Sequence, residues 1–403
     1  MTAHDTPAIE GGSPVRDTFL SFSKPTIGQE EIDEVVDTLR SGWLTTGPKA
    51  RRFEESFAGY VDAQHAIAVS SCTAALHLSL LAVGCGPGDE VIVPDMTFVA
   101  TTNSVIHAGA RPVLADVDPV TWNITVQEIE RRITPHTKAI VPVHFAGLPC
   151  DIDAIRDLAR SRGIAVVEDC AHAVGAEYKG RVVGSGEGPC AFSFYANKNM
   201  TTAEGGMITT SSDELAEKAA VWRLHGLDRD AWKRYDRKDV APSRCVYPGF
   251  KYNLSDVAAS LGLWQLARLP EMQSRREMIA SRYDSEFDLV DGISRQPRPA
   301  TRDDGRHGLH MYAIILDPGS TTVSRDHLLA ALRQENVGAA VNYEPVHRHP
   351  YYAQALGISD EDMPNATDIG DRILCLPLSA DIGDADADDV ISATRKVLDY
   401  YRR

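Results

Sequence analysis

From about residue 66 to 210 the chain alternates between two hydrophobic patterns. Short runs rich in β-branched residues, "AIAVS", "DEVIVPD", "RPVLADV", "KAIVPVHFAG", "IAVVEDC", "CAFSF" and "GMITT", are apolar at most positions. Between several of them lie stretches such as "TAALHLSLLAVG", "FVATTNSVIHAG" and "DIDAIRDLARSRG", where apolar residues recur at helical spacing. Continuously apolar strands suit a parallel sheet whose two faces are both covered by helices. The pattern therefore predicts an α/β domain built on a mostly parallel sheet.

The periodicity then changes. Residues 254–287 read as one long helical connector, with Pro270 bending or breaking it. Beyond it, "HMYAIILD", a helix near 324–336, "AAVNYEP" and a final helix near 386–401 predict a small α/β domain. The expected organisation is a loose tail over 1–22, a large domain over 23–265, and a small domain over 266–403 that includes the connecting helix. Residues 228–250 are charged and aromatic without clear periodicity, which reads as a long loop.

Composition narrows the class. With 403 residues, 43% hydrophobic and 24% charged, the chain is ordinary for a soluble globular protein. Its net charge of −16, from 41 basic and 57 acidic side chains, argues against nucleic acid as a partner. No apolar run reaches membrane-spanning length, and the start has no signal-peptide pattern. Seven cysteines without a C-x-x-C pair suit reduced thiols in the cytoplasm and no metal.

Ligands of open α/β sheets bind outside the carboxyl ends of the strands, so those ends carry the candidate chemistry. "AVSSCTAAL" places Ser71, Cys72 and Thr73 where a strand meets a helix start. The stretch reads equally as an N-cap and as a phosphate cradle. "IAVVEDCAHA" ends a buried strand with Glu168 and Asp169, then His172. A carboxylate there needs a cation or donors; a protonated pyridine nitrogen is one such partner, and a helix cap is the alternative. His172 reads either as a core histidine or as a ligand contact. Phe98 in "PDMTFVAT" reads as core or as a ring stacked on a flat cofactor. "SFYANKNMTTAEGGM" adds Ser193, Lys198 and a glycine pair for close backbone approach. A lysine held out of water becomes a nucleophile that forms a Schiff base with a carbonyl. Cradle, ring, carboxylate, hydroxyl and lysine, each at a strand end, together describe a pyridoxal phosphate site centred on Lys198.

The motifs also carry a resemblance. "SSCTAALHL", "EDCAHAVGA", "SFYANKNMTTAEGGM", "RLHGLDRDAWKRY" and "GFKYNLSDVAASLGLWQL" resemble the DegT/DnrJ/EryC1 sugar aminotransferases, within the fold type I (aspartate aminotransferase-like) pyridoxal phosphate enzymes. The likeness runs from "GQEEIDEVVDTLRSGWLTTGP" to "CLPLSADI". It implies a mostly parallel seven-stranded sheet between helices and a small C-terminal α/β domain. It implies further that Lys198 is the Schiff-base lysine, Asp169 the partner of the pyridine nitrogen, and His172 a neighbour of the phenolic oxygen, where many members carry glutamine. Phe98 would stack on the ring, and Ser71, Thr73, Ala74 and Ser193 would hold the phosphate. Asn253 would reach the phosphate of a neighbouring subunit, which implies a homodimer with shared sites; on its own it reads as a cap of the long helix. Arg229, backed by Lys251 and Lys233, and also Tyr343, His347 and Glu204, would contact the substrate.

The resemblance implies a nucleotide-linked keto sugar as substrate, L-glutamate as donor and pyridoxamine 5'-phosphate as the alternate cofactor form. C4 of a dTDP- or UDP-4-keto-6-deoxyhexose is the expected acceptor, in antibiotic glycoside or surface polysaccharide synthesis. Glutamine-dependent keto-inositol amination, amination of a 3-keto sugar and dehydration are the alternatives. Dehydratase relatives carry histidine at the lysine position, and a regulatory protein with this fold would have lost Lys198 or Asp169.

Overall fold

The computed structural model describes residues 6–228, 243–301 and 303–403. The apolar runs form β1 (His65–Val69), β2 (Glu90–Pro94), β3 (Arg111–Ala115), β4 (Thr137–Ile140), and β5 (Ala165–Val166) followed by β6 (Glu168–Asp169). A small hairpin, β7 (Glu177–Tyr178) and β8 (Arg181–Val182), precedes β9 (Cys190–Ser193) and β10 (Gly206–Thr210). β5 and β6 are one extended segment serving two neighbours: Val167 N donates to Ile140 O (3.0 Å), and Glu168 N to Pro189 O (2.9 Å). That segment joins β3-β2-β4-β5 to β6-β9-β10-β1, so the sheet is seven strands wide. All neighbours run parallel except β10, which is antiparallel to β9 and β1.

This topology positions the site. The parallel strands finish at one edge, and β10 begins there. Val69 registers with Gly206 and Gly206 with Ser193, while Asp169 bridges to Val143. The helix Cys72–Ala82 starts at the same edge and is buried along most of its length, as expected from a run of Ala and Leu under the sheet. Phe53 and Phe57 of the helix Pro48–Val61 meet Phe194 and Phe192 with ring centroids 5.2 and 5.1 Å apart.

The helix Asp256–Phe287 continues through Pro270, where the sequence predicted a bend or a break. As far as Met272 it buries Leu266, Leu269 and Met272 against the large domain. Its second half buries Ile279, Tyr283 and Phe287 in the small one. Six such side chains, at about 1.5–3 kcal/mol each, outweigh the ~3 kcal/mol cost of an interior proline. The cap is Ser255, whose Oγ accepts from Ala258 N (3.2 Å); Asn253 does not cap it.

The small domain carries β11 (Ile293–Arg295), β13 (Tyr312–Leu316) and β14 (Ile373–Leu376) in antiparallel order β11-β13-β14, while β12 (Gly305–Arg306) pairs back to β7. The helices Arg325–Gln334 and Asp384–Tyr400 contribute to the same core. Residues 6–22, expected as a loose tail, lie along this domain. Ala8 N and Val15 N donate to Glu335 (2.7 and 2.8 Å), and Leu20 bridges Val337. The flanks of the expected loop over 228–250 pair with each other, Leu227 with Cys245 and Leu224 with Lys251.

Candidate active site

The strand ends surround a cavity of about 550 Å³ that also reaches the small domain. Ser71, Thr73, Phe98, Asp169, His172, Ser193, Lys198, Glu204 and Tyr343 line it, so most of the sequence-predicted residues do meet. Among the described residues lining it, Lys198 is the only lysine or arginine.

One end of the cavity fits a phosphate. Ser71 caps the helix Cys72–Ala82, its Oγ accepting from Ala74 N (3.0 Å), which is the N-cap reading and is compatible with a phosphate at the same turn. The first backbone bond is Ala75 N to Ser71 O (3.0 Å), and among the described residues nothing takes the N–H groups of Cys72 and Thr73. Such free amides at a helix start favour an anion. Gly206 closes the cradle from β10: a Cβ there would lie 2.5 Å from Ser71 O and 2.7 Å from Cys72 N. Ala74, buried behind this turn, contributes its amide to the cap rather than to the cavity.

Asp169 is buried at the end of β6. Oδ2 accepts from Thr101 Oγ1 (2.8 Å) and Oδ1 from Ala171 N (3.0 Å). Burial pushes its pKa up, opposed by those two donors and by the charge of Lys198. A cation at the ring position would restore the ionised form. Its neighbour Glu168 points the other way and is spent structurally, on Arg156 and on His144 Nε2 (3.2 Å). Alternation along a strand separates the two carboxylates.

Lys198 follows β9 on a turn closed by Lys198 N to Tyr195 O (2.9 Å). The residue is partly exposed to the cavity, yet desolvation lowers its amine to about pKa 8, against the pull of Cys72 and Asp169. Nζ lies 3.2 Å from His310 Nε2. The sequence did not single out His310; a lone histidine before a strand is a common core residue, and only the domain packing brings it here. Thr101 and Asn197 also line the cavity; they stand beside Phe98 and Lys198 in the chain, but a helical threonine and a loop asparagine carry no signal of their own.

His172 Nε2 meets Tyr343 OH at 3.1 Å, while its Nδ1 is buried without a partner among the described residues. An unsatisfied buried group costs about 1–3 kcal/mol, which a ligand can relieve. Burial and the nearby Lys198 keep His172 neutral. Phe98, 54% exposed, packs its ring 5.5 Å from Tyr343 and leaves a face open. An amide-lined helix start, a buried carboxylate, a free aromatic face, an unpartnered imidazole nitrogen and a desolvated lysine together fit pyridoxal phosphate.

Other expected contacts lie elsewhere. His347 does not reach the cavity: Nδ1 binds Asp95 Oδ2 (2.6 Å) and Nε2 binds Asp360 Oδ1 (2.8 Å), a lock between the end of β2 and the small domain. Lys251 is exposed, with Nζ 2.5 Å from Asn253 Oδ1, and Asn253 Nδ2 donates to Thr46 Oγ1 (2.6 Å); neither lines this chain's own cavity. Arg229 and Lys233 lie outside the described residues. His144, Glu168 and Cys170 lie close enough to suggest a metal, but Arg156 already neutralises Glu168, and His144 Nδ1 accepts from Cys150 N (3.0 Å).

Comparison with known proteins agrees with this geometry. The sequence model of the DegT/DnrJ/EryC1/StrS aminotransferase family matches residues 25–395. The chain is 49% identical over 384 residues to the spore coat polysaccharide biosynthesis protein SpsC of Bacillus subtilis (strain 168), covering 95% of this chain and 98% of that one. It is similar in structure to Spr1654 of Streptococcus pneumoniae in its PMP form, with 34% identity, a TM-score of 0.87, and 94% and 99% of the two chains covered. Spr1654 has also been solved in apo and PLP forms. The sugar aminotransferase CalS13 of Micromonospora echinospora matches with 26% identity, a TM-score of 0.83, and 93% and 98% coverage.

Proposed function

We propose, from the premise that the chain belongs to the DegT/DnrJ/EryC1/StrS aminotransferase family, that it moves the amino group of L-glutamate to a nucleotide-linked keto sugar. The fold is that of fold type I pyridoxal phosphate enzymes, the cofactor is pyridoxal 5'-phosphate, and the activity is that of a sugar aminotransferase. The acceptor position is C4 of a dTDP- or UDP-4-keto-6-deoxyhexose. The observation that carries the reading is the desolvated Lys198 amine facing Asp169 across a cavity with an anion cradle.

Bound pyridoxal phosphate supplies the electron sink that makes loss of a proton from the substrate carbon feasible. The chain's residues do the rest. The amides of Cys72 and Thr73, with Ser71 and Ser193, would hold the phosphate. Asp169, oriented by Thr101 and Ala171 N, would hold the proton of the ring nitrogen. Phe98 would cover the ring, and His172 would stand by its phenolic oxygen. The Lys198 amine, with a pKa lowered to about 8, exists in both forms near neutral pH, so it can accept a proton and return it.

The sugar contacts are Tyr343 and Glu204 at the cavity, with Arg229 and Lys251 for the diphosphate. The position of Asn253, held on Thr46 outside its own cavity, supports a homodimer with shared sites. Similarity to SpsC favours surface polysaccharide over antibiotic synthesis, and free cysteines suit the reducing cytoplasm.

The test is the absorption spectrum of the cofactor-loaded protein before and after adding glutamate or, separately, glutamine. Loss of the band with 2-oxoglutarate released supports the reading, and a panel of nucleotide keto sugars then finds the acceptor. A response to glutamine alone would transfer the proposal to keto inositols. A loaded protein that answers neither donor would point to a lyase, and a chain that shows no lysine-bound band would end the assignment of Lys198.

A further inference from the structure

His310 is fixed more firmly than any sequence signal explains. It stands two residues before β13. Its N–H donates to Ala146 O (3.0 Å), and Gly308 N donates to Gly147 O (2.7 Å). Gly147 has a φ of +105°, and a Cβ there would lie 2.8 Å from Leu309 N. Asn199 Nδ2 donates to Gly308 O (2.5 Å), tying this segment to the residue after Lys198. From the long helix, buried Arg276 donates to Leu309 O (3.2 Å). The imidazole stacks on His172, with centroids 4.5 Å apart and planes at 25°. The result is an Nε2 held 3.2 Å from Lys198 Nζ.

A lysine that bonds to a cofactor is released from it in every cycle, and its four-carbon stem is flexible. The freed amine needs a fixed partner within reach of its working position. We propose that His310 is that partner, a positioning residue that receives the Lys198 amine through an Nζ–H···Nε2 hydrogen bond whenever the cofactor does not hold it. The inference rests on the assignment of Lys198 made above. The groups facing this pair are Cys72 and Asp169 at the strand ends, His172 in the stack, Arg276 on the long helix, and Tyr343 beyond His172. Burial, with Lys198, His172 and Arg276 nearby, keeps the His310 ring neutral. A neutral ring that accepts at Nε2 carries its proton on Nδ1, which is buried without a partner among the described residues.

An acceptor stabilises the ammonium form, so losing it must lower the amine's pKa. The measurement uses the full chain without cofactor, sugar or amino donor. Acetylation of Lys198 by acetic anhydride is followed against pH by peptide mass spectrometry. H310F is expected to lower the amine's apparent pKa by about one unit, a tenfold shift in its protonation equilibrium. H310Q, whose amide oxygen still accepts, is expected to stay near the wild-type value. An unchanged pKa in H310F, or an H310Q that follows H310F, would overturn the proposal. If H310F does not fold, ¹⁵N-histidine spectra of wild type and K198M decide. A shift of the His310 ring nitrogens is expected, and identical signals would overturn it. A positive result here beside failed sugar amination would sink the proposed function and leave this inference standing.

Discussion

At the residue scale, the proposed roles of Lys198 and Asp169 can be separated by two substitutions. Lys198→Ala is expected to lower turnover by at least ~10²–10⁴-fold, the usual worth of a positioned acid–base group. The phosphate and ring contacts survive it, so pyridoxamine phosphate should still bind, as equilibrium dialysis would show. Full activity in that variant would remove Lys198 from the mechanism. Asp169→Asn keeps the shape and the Ala171 N–H contact but loses the negative charge. A fall in kcat of about 10²–10³-fold is expected, as for loss of a preorganised electrostatic partner. A variant with wild-type kcat would mean that Asp169 is a structural carboxylate. The sequence singles out both residues because each breaks a local rule: a charge at the end of an apolar strand, and a lysine among small residues. His310 breaks none, which is why it is not singled out.

At the element scale, the edge of the sheet is an assembly of close approaches. Gly206→Ala puts a methyl group 2.5 Å from the Ser71 backbone, which cannot rotate away. A loss of ~1–3 kcal/mol of stability is expected, together with weaker pyridoxal phosphate binding. Denaturant melts and cofactor titration measure the two effects, and a variant unchanged in both would contradict this packing. The His347 lock makes a pH-dependent prediction. Its pKa is raised by the hydrogen bonds and charges of Asp95 and Asp360, against burial. The stabilisation it brings is complete below the unfolded value of about 6.5 and fades as pH rises through the elevated folded value. The Tm difference between wild type and His347→Ala should therefore be a few degrees in mild acid and shrink above neutrality. A difference that grows with pH would refute this sign. The strands themselves were legible, because burial on both faces writes a continuous apolar run. The continuity of the helix through Pro270 was not. Local propensity argues for a break, and only the two cores that the helix joins outweigh it.

At the scale of the whole molecule, the shared-site proposal makes a complementation test available. Lys198→Ala and Asn253→Ala are each expected to be impaired alone. Unfolded and refolded together, they should regain activity, because one site of the mixed dimer would hold an intact Lys198 and a neighbour's intact Asn253. No recovery, with dimers confirmed by light scattering, would mean that Asn253 serves its own chain. The path of residues 6–22 belongs to this scale too. Their partners, among them Glu335, Val337 and the Asp386 and Asp389 carboxylates that pair with Arg16, lie far along the chain. A run of mixed polarity with no periodicity carries no sign of such partners.

The order of strands and helices and membership of the family were determined by the sequence alone, which also marked Lys198 and the Glu168–Asp169 pair as candidates. Periodicity, buried charge and motif are local properties, and local properties survive in a string of residues. Tertiary structure alone decided that His310 meets Lys198, that His347 serves as a lock outside the cavity, and that Asp169 faces the site while Glu168 faces away. Those outcomes depend on which elements pack together and on their register, where a one-residue shift turns a side chain to the opposite face.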